Sequence, residues 1–200
     1  MKKQVLVIHG ADTFKSYEDY IESLKKEEID ASDLGKKGWK ENLQADLRAD
    51  FQVIAPRMPN KNYAHYNEWK IWFDKYLPVV ADGIILVGHS MGAIFLAKYL
   101  SENSFPKKIA ASFLVAGPYD DEVSESTIGD FAFSTSLENF EKQGGKITFY
   151  QSKDDELVPV ADFEKYKENV KGANFVLFED RGHFFQEHFP ELVEEIKKLS

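Results

Sequence analysis

Hydrophobic residues fall along this chain in two alternating rhythms. Six short apolar runs have the length and the β-branched or aromatic content of buried strands: Val5-Leu6-Val7-Ile8, Phe51-Gln52-Val53-Ile54-Ala55, Ile84-Ile85-Leu86-Val87, Ile109–Val115, Ile147-Thr148-Phe149-Tyr150 and Asn174–Phe178. Between them, apolar positions recur at helical spacing. Tyr17, Tyr20, Ile21 and Leu24 predict an amphipathic helix over 16–27, and Trp39, Leu43 and Leu47 a short one. Trp69, Trp72, Phe73, Tyr76 and Leu77 stripe a helix over 66–77 that ends near Pro78, and Ala93–Leu100 reads as another. Phe163, Tyr166 and Val170 follow Pro159, placed in a first helical turn, and Phe189, Leu192, Val193, Ile196 and Leu199 mark a final helix. The polar stretch 28–38 reads as a surface loop, and 119–136, which has Phe131 and Phe133 but no period, as a small lid or flap. Six strands alternating with helices predict an α/β fold: a mainly parallel six-stranded sheet with helices on both faces and right-handed crossovers. No repeat, low-complexity tract or linker interrupts the pattern, so 1–200 reads as a single domain.

Composition narrows the class. Two hundred residues, 43% hydrophobic and 14% aromatic, supply a full-sized core. A net charge of −9 argues against nucleic acid or an anionic membrane as partner, since no basic patch is present to neutralise phosphates. The absence of cysteine excludes disulfides, thiolate zinc sites and cysteine nucleophiles. No paired-histidine spacing suggests a metal, and no cofactor is expected. The first apolar run is too short for a signal-peptide core, and no stretch reaches the length of a membrane span. The expectation is a soluble cytoplasmic protein acting on a small molecule, its oligomeric state open.

The candidate chemistry sits at Gly88-His89-Ser90-Met91-Gly92, between the third strand and a helix. Gly-x-Ser-x-Gly in that context is a nucleophile elbow: the serine occupies a tight, strained turn, and the flanking glycines let strand and helix approach each other. A serine hydroxyl needs a base, and the base an orienting acid. In chain order serine, acid, histidine, only His183 and His188 come late enough. His183, on a loop after the last strand, is preferred because sites of open α/β sheets form at the carboxyl ends of strands; His188 falls within the final helix pattern. For the acid, Asp155 lies in the loop before Val158-Pro159, with Asp154 its neighbour and competitor, and Asp120 and Asp121 at an alternative position after the preceding strand. The oxyanion of an acyl intermediate needs two donors, for which the backbone N–H groups of Met91 and Ala11 are placed. His9 and His89 read as structural, and Trp39, Met58, Trp69, Tyr119, Phe131 and Phe133 as candidate walls of a substrate pocket.

Val-x-Ile-His-Gly, Gly-His-Ser-Met-Gly, Ser-x-Asp-Asp-x-x-Val-Pro and Gly-His-Phe together resemble an α/β-hydrolase. The small size and the early first strand are similar to the compact YdeN-like serine hydrolases, a group related to retinoblastoma-binding protein nine. The resemblance implies a minimal α/β-hydrolase fold without a large cap domain, with Ser90 as nucleophile, Asp155 as acid and His183 as base. Segments 28–41 and 119–136 have no counterpart in that pattern and lie where substrate is sensed. The reading is a serine hydrolase acting on carboxylic esters or amides through an acyl-enzyme; the alternatives are a binding or scaffold protein on the same fold and an acyltransferase using the same triad.

Overall fold

In a computed structural model, which describes residues 2–31, 34–122 and 127–199, each apolar run forms a strand of one sheet. The strands are β1 (Lys3–Ile8), β2 (Phe51–Ile54), β3 (Ile84–His89), β4 (Ile109–Val115), β5 (Lys146–Ser152) and β6 (Asn174–Phe178). Their spatial order is β2-β1-β3-β4-β5-β6, and every neighbouring pair is parallel. The first strand, β1, lies one in from the edge; the chain steps outward to β2 at that edge, then crosses back to β3 and proceeds to β6. The direction of winding therefore reverses between β1 and β3, where open α/β sheets form their ligand crevice. Ser90 directly follows β3, and Gly10-Ala11 lie just beyond β1, so both come to that crevice.

Strand side chains alternate between two cores, as a period of two requires. Leu6, Ile8, Ile84 and Leu86 face one core, and Val5, Val7, Ile85 and Val87 the other. The first core is covered by α3 (Tyr66–Asp74), α4 (Met91–Glu102), α5 (Glu138–Gln143) and α6 (Val160–Asn169), whose Trp69, Phe95, Phe140 and Tyr166 are buried there. The second is covered by α2 (Trp39–Leu47) and α7 (Pro190–Lys197), through Trp39, Leu43, Leu192 and Ile196. Burial of β1 and β3 on both sides explains why they read as unbroken apolar runs.

α1 (Tyr17–Lys26) is built differently. Ser16 caps it, accepting the Asp19 N–H at 3.1 Å, yet none of its residues is buried. It is tied to the body by an aromatic cluster in which Tyr20 stacks on Tyr63 at 5.3 Å and touches Phe14 at 5.4 Å. Tyr20 and Leu24 of its apolar stripe, with Asp19 and Ser23, line the crevice described below.

Several boundaries differ from the sequence expectation. α3 ends at Asp74 because a tighter turn, in which Lys75 N–H reaches back to Trp72, takes over ahead of Pro78. The final helix starts at Pro190, with Phe189 as its N-cap. α5 was not expected: its six residues hold one buried apolar side chain, Phe140, too few to show a period. Residues 123–126 of the expected flap lie outside the described residues. The rest is pinned rather than hinged: Phe131 is fully buried 5.3 Å from Trp69, Asp130 caps α3 by accepting the Tyr66 N–H at 2.9 Å, and Lys98 donates to the Ala132 carbonyl. Among the described residues, no helix is long and apolar enough to cross a membrane.

Candidate active site

β3 feeds Ser90 into a turn with φ 54° and ψ −124°, a left-handed conformation that a residue bearing a side chain adopts only under strain. The turn is held from both sides: Ser90 N–H donates to the Val115 carbonyl at 2.8 Å, and the Ser90 carbonyl accepts the Ala93 N–H at 2.8 Å. A side chain at Gly88 would put its Cβ 2.5 Å from the Gly92 carbonyl oxygen, and one at Gly92 would put its Cβ 2.3 Å from that of Ile8. Backbone meets backbone here, so the motif's two glycines are a geometric necessity. Met91 opens α4, and N–H groups in a first helical turn have no partner within their own helix.

The loops after β5 and β6 bring an acid and an imidazole together. His183 Nδ1 lies 2.9 Å and 3.1 Å from the two carboxylate oxygens of Asp155. The Asp155 side chain is wholly buried and that of His183 nearly so. Asp155 Oδ1 also accepts the N–H groups of Leu157 and Val158, at 2.9 Å and 3.0 Å, which fixes the carboxylate. An Nδ1–H donated to Asp155 leaves Nε2 as the lone-pair nitrogen. Asp154 faces elsewhere: its Oδ1 accepts the Ser152 hydroxyl at 2.6 Å and the Gly182 N–H at 2.8 Å, while Ser152 Oγ accepts the Arg181 N–H at 2.8 Å. The Ser152 and Gly182 hydrogen bonds hold the Asp154 carboxyl below its ordinary range. Asp120 is paired with Lys165 at 2.6 Å, and Asp121 accepts the Ile128 N–H.

The histidine loop is also held from behind. His89 is buried, donates from Nε2 to the His183 carbonyl at 2.8 Å, and accepts Lys40 Nζ on Nδ1 at 3.2 Å. Burial, followed by the nearby Lys40 charge, keeps its pKa well below the imidazole range, so it is neutral. Trp39 Nε1–H donates to the Phe184 carbonyl at 2.9 Å, and Phe184, at φ 56°, is fully buried 5.7 Å from Phe178. These anchors carry no local sequence signal, because Trp39 and Phe184 are 145 positions apart.

Two adjoining cavities, of about 830 Å³ and 780 Å³, meet at Ser90 and His183 and share Ala11, Asp12, Lys61 and Leu157. One runs beneath α1, past Phe14, Tyr20, Leu24, Ile128 and Val158. The other runs toward α2, past Lys40, Arg57, Met58 and Phe185. Of the six residues expected to wall a pocket, Met58 lines the second arm, while Trp39, Trp69 and Phe131 are core residues. Trp69 donates to the Pro59 carbonyl at 2.8 Å, and Tyr119 and Phe133 pack on each other at 5.1 Å beside Tyr166. The wall contributed by α1 was missed, since a helical stripe does not reveal whether it faces a core or a crevice. His9 holds the crevice floor, accepting the Met58 N–H on Nε2 at 2.9 Å and donating from Nδ1 to its neighbour's carbonyl, Gly10 O, at 2.7 Å. His188 is a surface residue paired with Asp46 at 2.9 Å. Among the described residues, no group of histidine, aspartate and glutamate side chains is arranged to hold a metal ion.

A six-stranded parallel sheet in this order, with a serine on a strained strand-to-helix turn at its switch point and no large cap, is the fold of an α/β-hydrolase. The model of the family described as Serine hydrolase matches residues 31–198, and the chain belongs to that family. It is 25% identical over 169 residues to rat Serine hydrolase RBBP9, across 84% of this chain and 89% of that one. It is 23% identical over 192 residues to Putative hydrolase YdeN of Bacillus subtilis strain 168, across 94% of this chain and 88% of that one. The crystal structure of the B. subtilis ydeN gene product superposes with a TM-score of 0.73 at 19% identity, covering 99% of this chain and 98% of that one.

Proposed function

We propose that this serine hydrolase cleaves small carboxylic esters, and amides by the same chemistry, through Ser90, His183 and Asp155 and an acyl-enzyme intermediate. The observation that carries the reading is the His183 imidazole, held by the buried Asp155 carboxylate at 2.9 Å on the rim of the cavity that Ser90 also borders. With Nδ1–H committed to Asp155, Nε2 is free to take the Ser90 proton as the oxygen attacks the carbonyl carbon. Asp155 then stabilises the imidazolium, and the N–H groups of Met91 and Ala11 receive the oxyanion. Protonation of the leaving group by His183 releases it. Water then attacks the acyl-enzyme by the same route, returning Ser90 and a carboxylic acid.

The test uses a fluorophosphonate probe and p-nitrophenyl butyrate. Wild type is labelled at Ser90 and turns the ester over, and Ser90→Ala does neither. Asp155→Asn, which disturbs the tautomer but not the shape, loses about four orders of magnitude in kcat. Wild type that is labelled without turning over esters or amides is a binding protein rather than a hydrolase of this kind. Labelling that survives Ser90→Ala removes the nucleophile assignment.

A further inference from the structure

The arm of the crevice that runs toward α2 has an unusual charge pattern for a chain of net charge −9. Lys40, Arg57 and Lys61 border it together with Ser90 and His183. Lys98, Lys146, Lys165 and Arg181 each sit within 4.0 Å of a carboxylate, but among the described residues Lys40, Arg57 and Lys61 have none that close. Two acids, Glu41 and Asp12, share the rim, neither of them within 4.0 Å of these cations. Glu41 is turned to cap α2 through the Gly38 N–H at 2.9 Å, and the Asp12 carboxyl is pushed up by burial and then by Glu27, against the pull of Lys61.

The three cations are mounted on three separately fixed pieces of chain. Lys40 stands in the first turn of α2, half-buried, with its ammonium 5.1 Å from the Trp39 ring centre and 3.2 Å from His89 Nδ1. Arg57 precedes Met58, whose N–H is bonded to His9. The Lys61 carbonyl accepts the Asp12 N–H at 2.8 Å, and the Asp12 carbonyl accepts the Ala64 N–H at 2.8 Å, zipping the Lys61 loop to the loop that carries Ala11. Burial, opposed by the Glu41 charge and reinforced by that of Lys61, holds the Lys40 ammonium below its ordinary range. Three cations against two carboxylates leave the arm with an excess of positive charge, which draws an anion to it.

We infer that this arm is an anion subsite: it takes a carboxylate or phosphate carried by the substrate, so that the preferred ester bears a negative charge a few bonds from the carbonyl that Ser90 attacks. The inference rests on the hydrolase reading above and adds the substrate's charge to it. Lys61 and Arg57, both exposed to the crevice, are the direct contacts; Lys40, behind them, sets the local field.

The test compares kcat/KM for p-nitrophenyl butyrate, its hemisuccinate counterpart with a carboxylate tail, and a counterpart of the same length with a phosphonate tail. One tail or the other is preferred over butyrate by about tenfold at low salt, and the better tail names the anion. Lys61→Gln and Arg57→Gln each lower that preference about threefold to fivefold, as does raising the salt to about 0.5 M, because exposed charges are screened within about one Debye length. Lys142→Gln, at an exposed position of α5 that does not line the crevice, leaves the preference as it is. Equal kcat/KM for all three esters, or a preference unmoved by both crevice variants, overturns the anion subsite and leaves the hydrolase reading standing. If no ester is turned over, the hydrolase reading falls and takes this inference with it.

Discussion

Replacing Gly92 by alanine tests the geometry of the elbow most directly. The added Cβ would lie 2.3 Å from the Ile8 carbonyl oxygen and 2.7 Å from that of His9, where ordinary contact begins at 3.4 Å. Neither oxygen belongs to a side chain that could rotate away, and Ile8 is locked in register opposite Gly88 in the sheet. Relief therefore means moving the start of α4 about 1 Å away from β1. Overpacking of this kind costs about 1–3 kcal/mol, and the backbone contact places this case at the upper end. For a chain of this length that corresponds to a fall in Tm of about 6–12 °C. The functional loss is larger than the stability loss suggests. The displacement separates the Met91 N–H on α4 from the Ala11 N–H beyond β1, and a misplacement of about 1 Å costs about a hundredfold in rate. Urea unfolding followed by tryptophan fluorescence gives the first quantity, and probe labelling and ester turnover under folding conditions give the second. If Gly92→Ala unfolds within about 1 kcal/mol of wild type and is labelled at the wild-type rate, the close approach of α4 to β1 is not what the motif's second glycine serves.

Asp162, wholly buried at the start of α6, accepts the Tyr119 N–H at 3.1 Å with one oxygen and has no partner for the other. Burial, opposed by the Tyr119 N–H and reinforced by Asp120, pushes its carboxyl from 3.8 to about 6. The folded state thus holds the proton more tightly than the unfolded chain. The resulting cost is absent below about pH 4, grows between about pH 4 and 6, and reaches up to about 3 kcal/mol at neutral pH. Asp162→Asn is expected to be more stable than wild type at pH 7.5, with the difference vanishing near pH 4 in urea unfolding; a difference that does not change with pH contradicts the burial argument. Trp39→Phe removes the donor to the buried Phe184 carbonyl and is expected to cost about 1–3 kcal/mol. Because Phe184 follows His183, it should also lower kcat more than it raises KM, and a variant with wild-type kcat argues that Trp39 only fills space.

The strands were readable because β1 and β3 are buried on both faces and need no polar alternation, so their runs stand out from any helix pattern. The elbow was readable because its signature is short, with glycine on either side of Ser90; of the two backbone contacts that demand those glycines, that of Gly88 lies inside the motif and that of Gly92 reaches across to Ile8 at the end of β1. The choice between Asp154 and Asp155 was not local. The two carboxylates are adjacent in sequence, and only the fold turns one to His183 Nδ1 and the other to the Gly182 N–H. Phe131 is the clearest misreading in kind. It lies in a stretch without period, which suggests a flap, yet its ring fills the core between Tyr66 and Trp69. A single large anchor in irregular chain leaves no repeat to detect.

The two walls of the crevice are held with very different firmness, and this bears on where specificity resides. The loop that carries His183 is tied to Ser152, Asp154, His89 and Trp39, four contacts drawn from β5 and its end, β3 and α2. Such density keeps a strained residue such as Phe184 in place, since a left-handed backbone at a bulky residue persists only where its surroundings over-determine it. α1, by contrast, contributes no buried residue and leans on an aromatic stack over the arm it covers. Elements with few buried apolar contacts open at low free-energy cost. Reacting groups need fixed positions, whereas a substrate wall tolerates motion. Changes in α1 or at Arg57 and Lys61 should therefore redirect which substrate is taken, while changes among the anchors of the histidine loop should reduce the rate for every substrate alike.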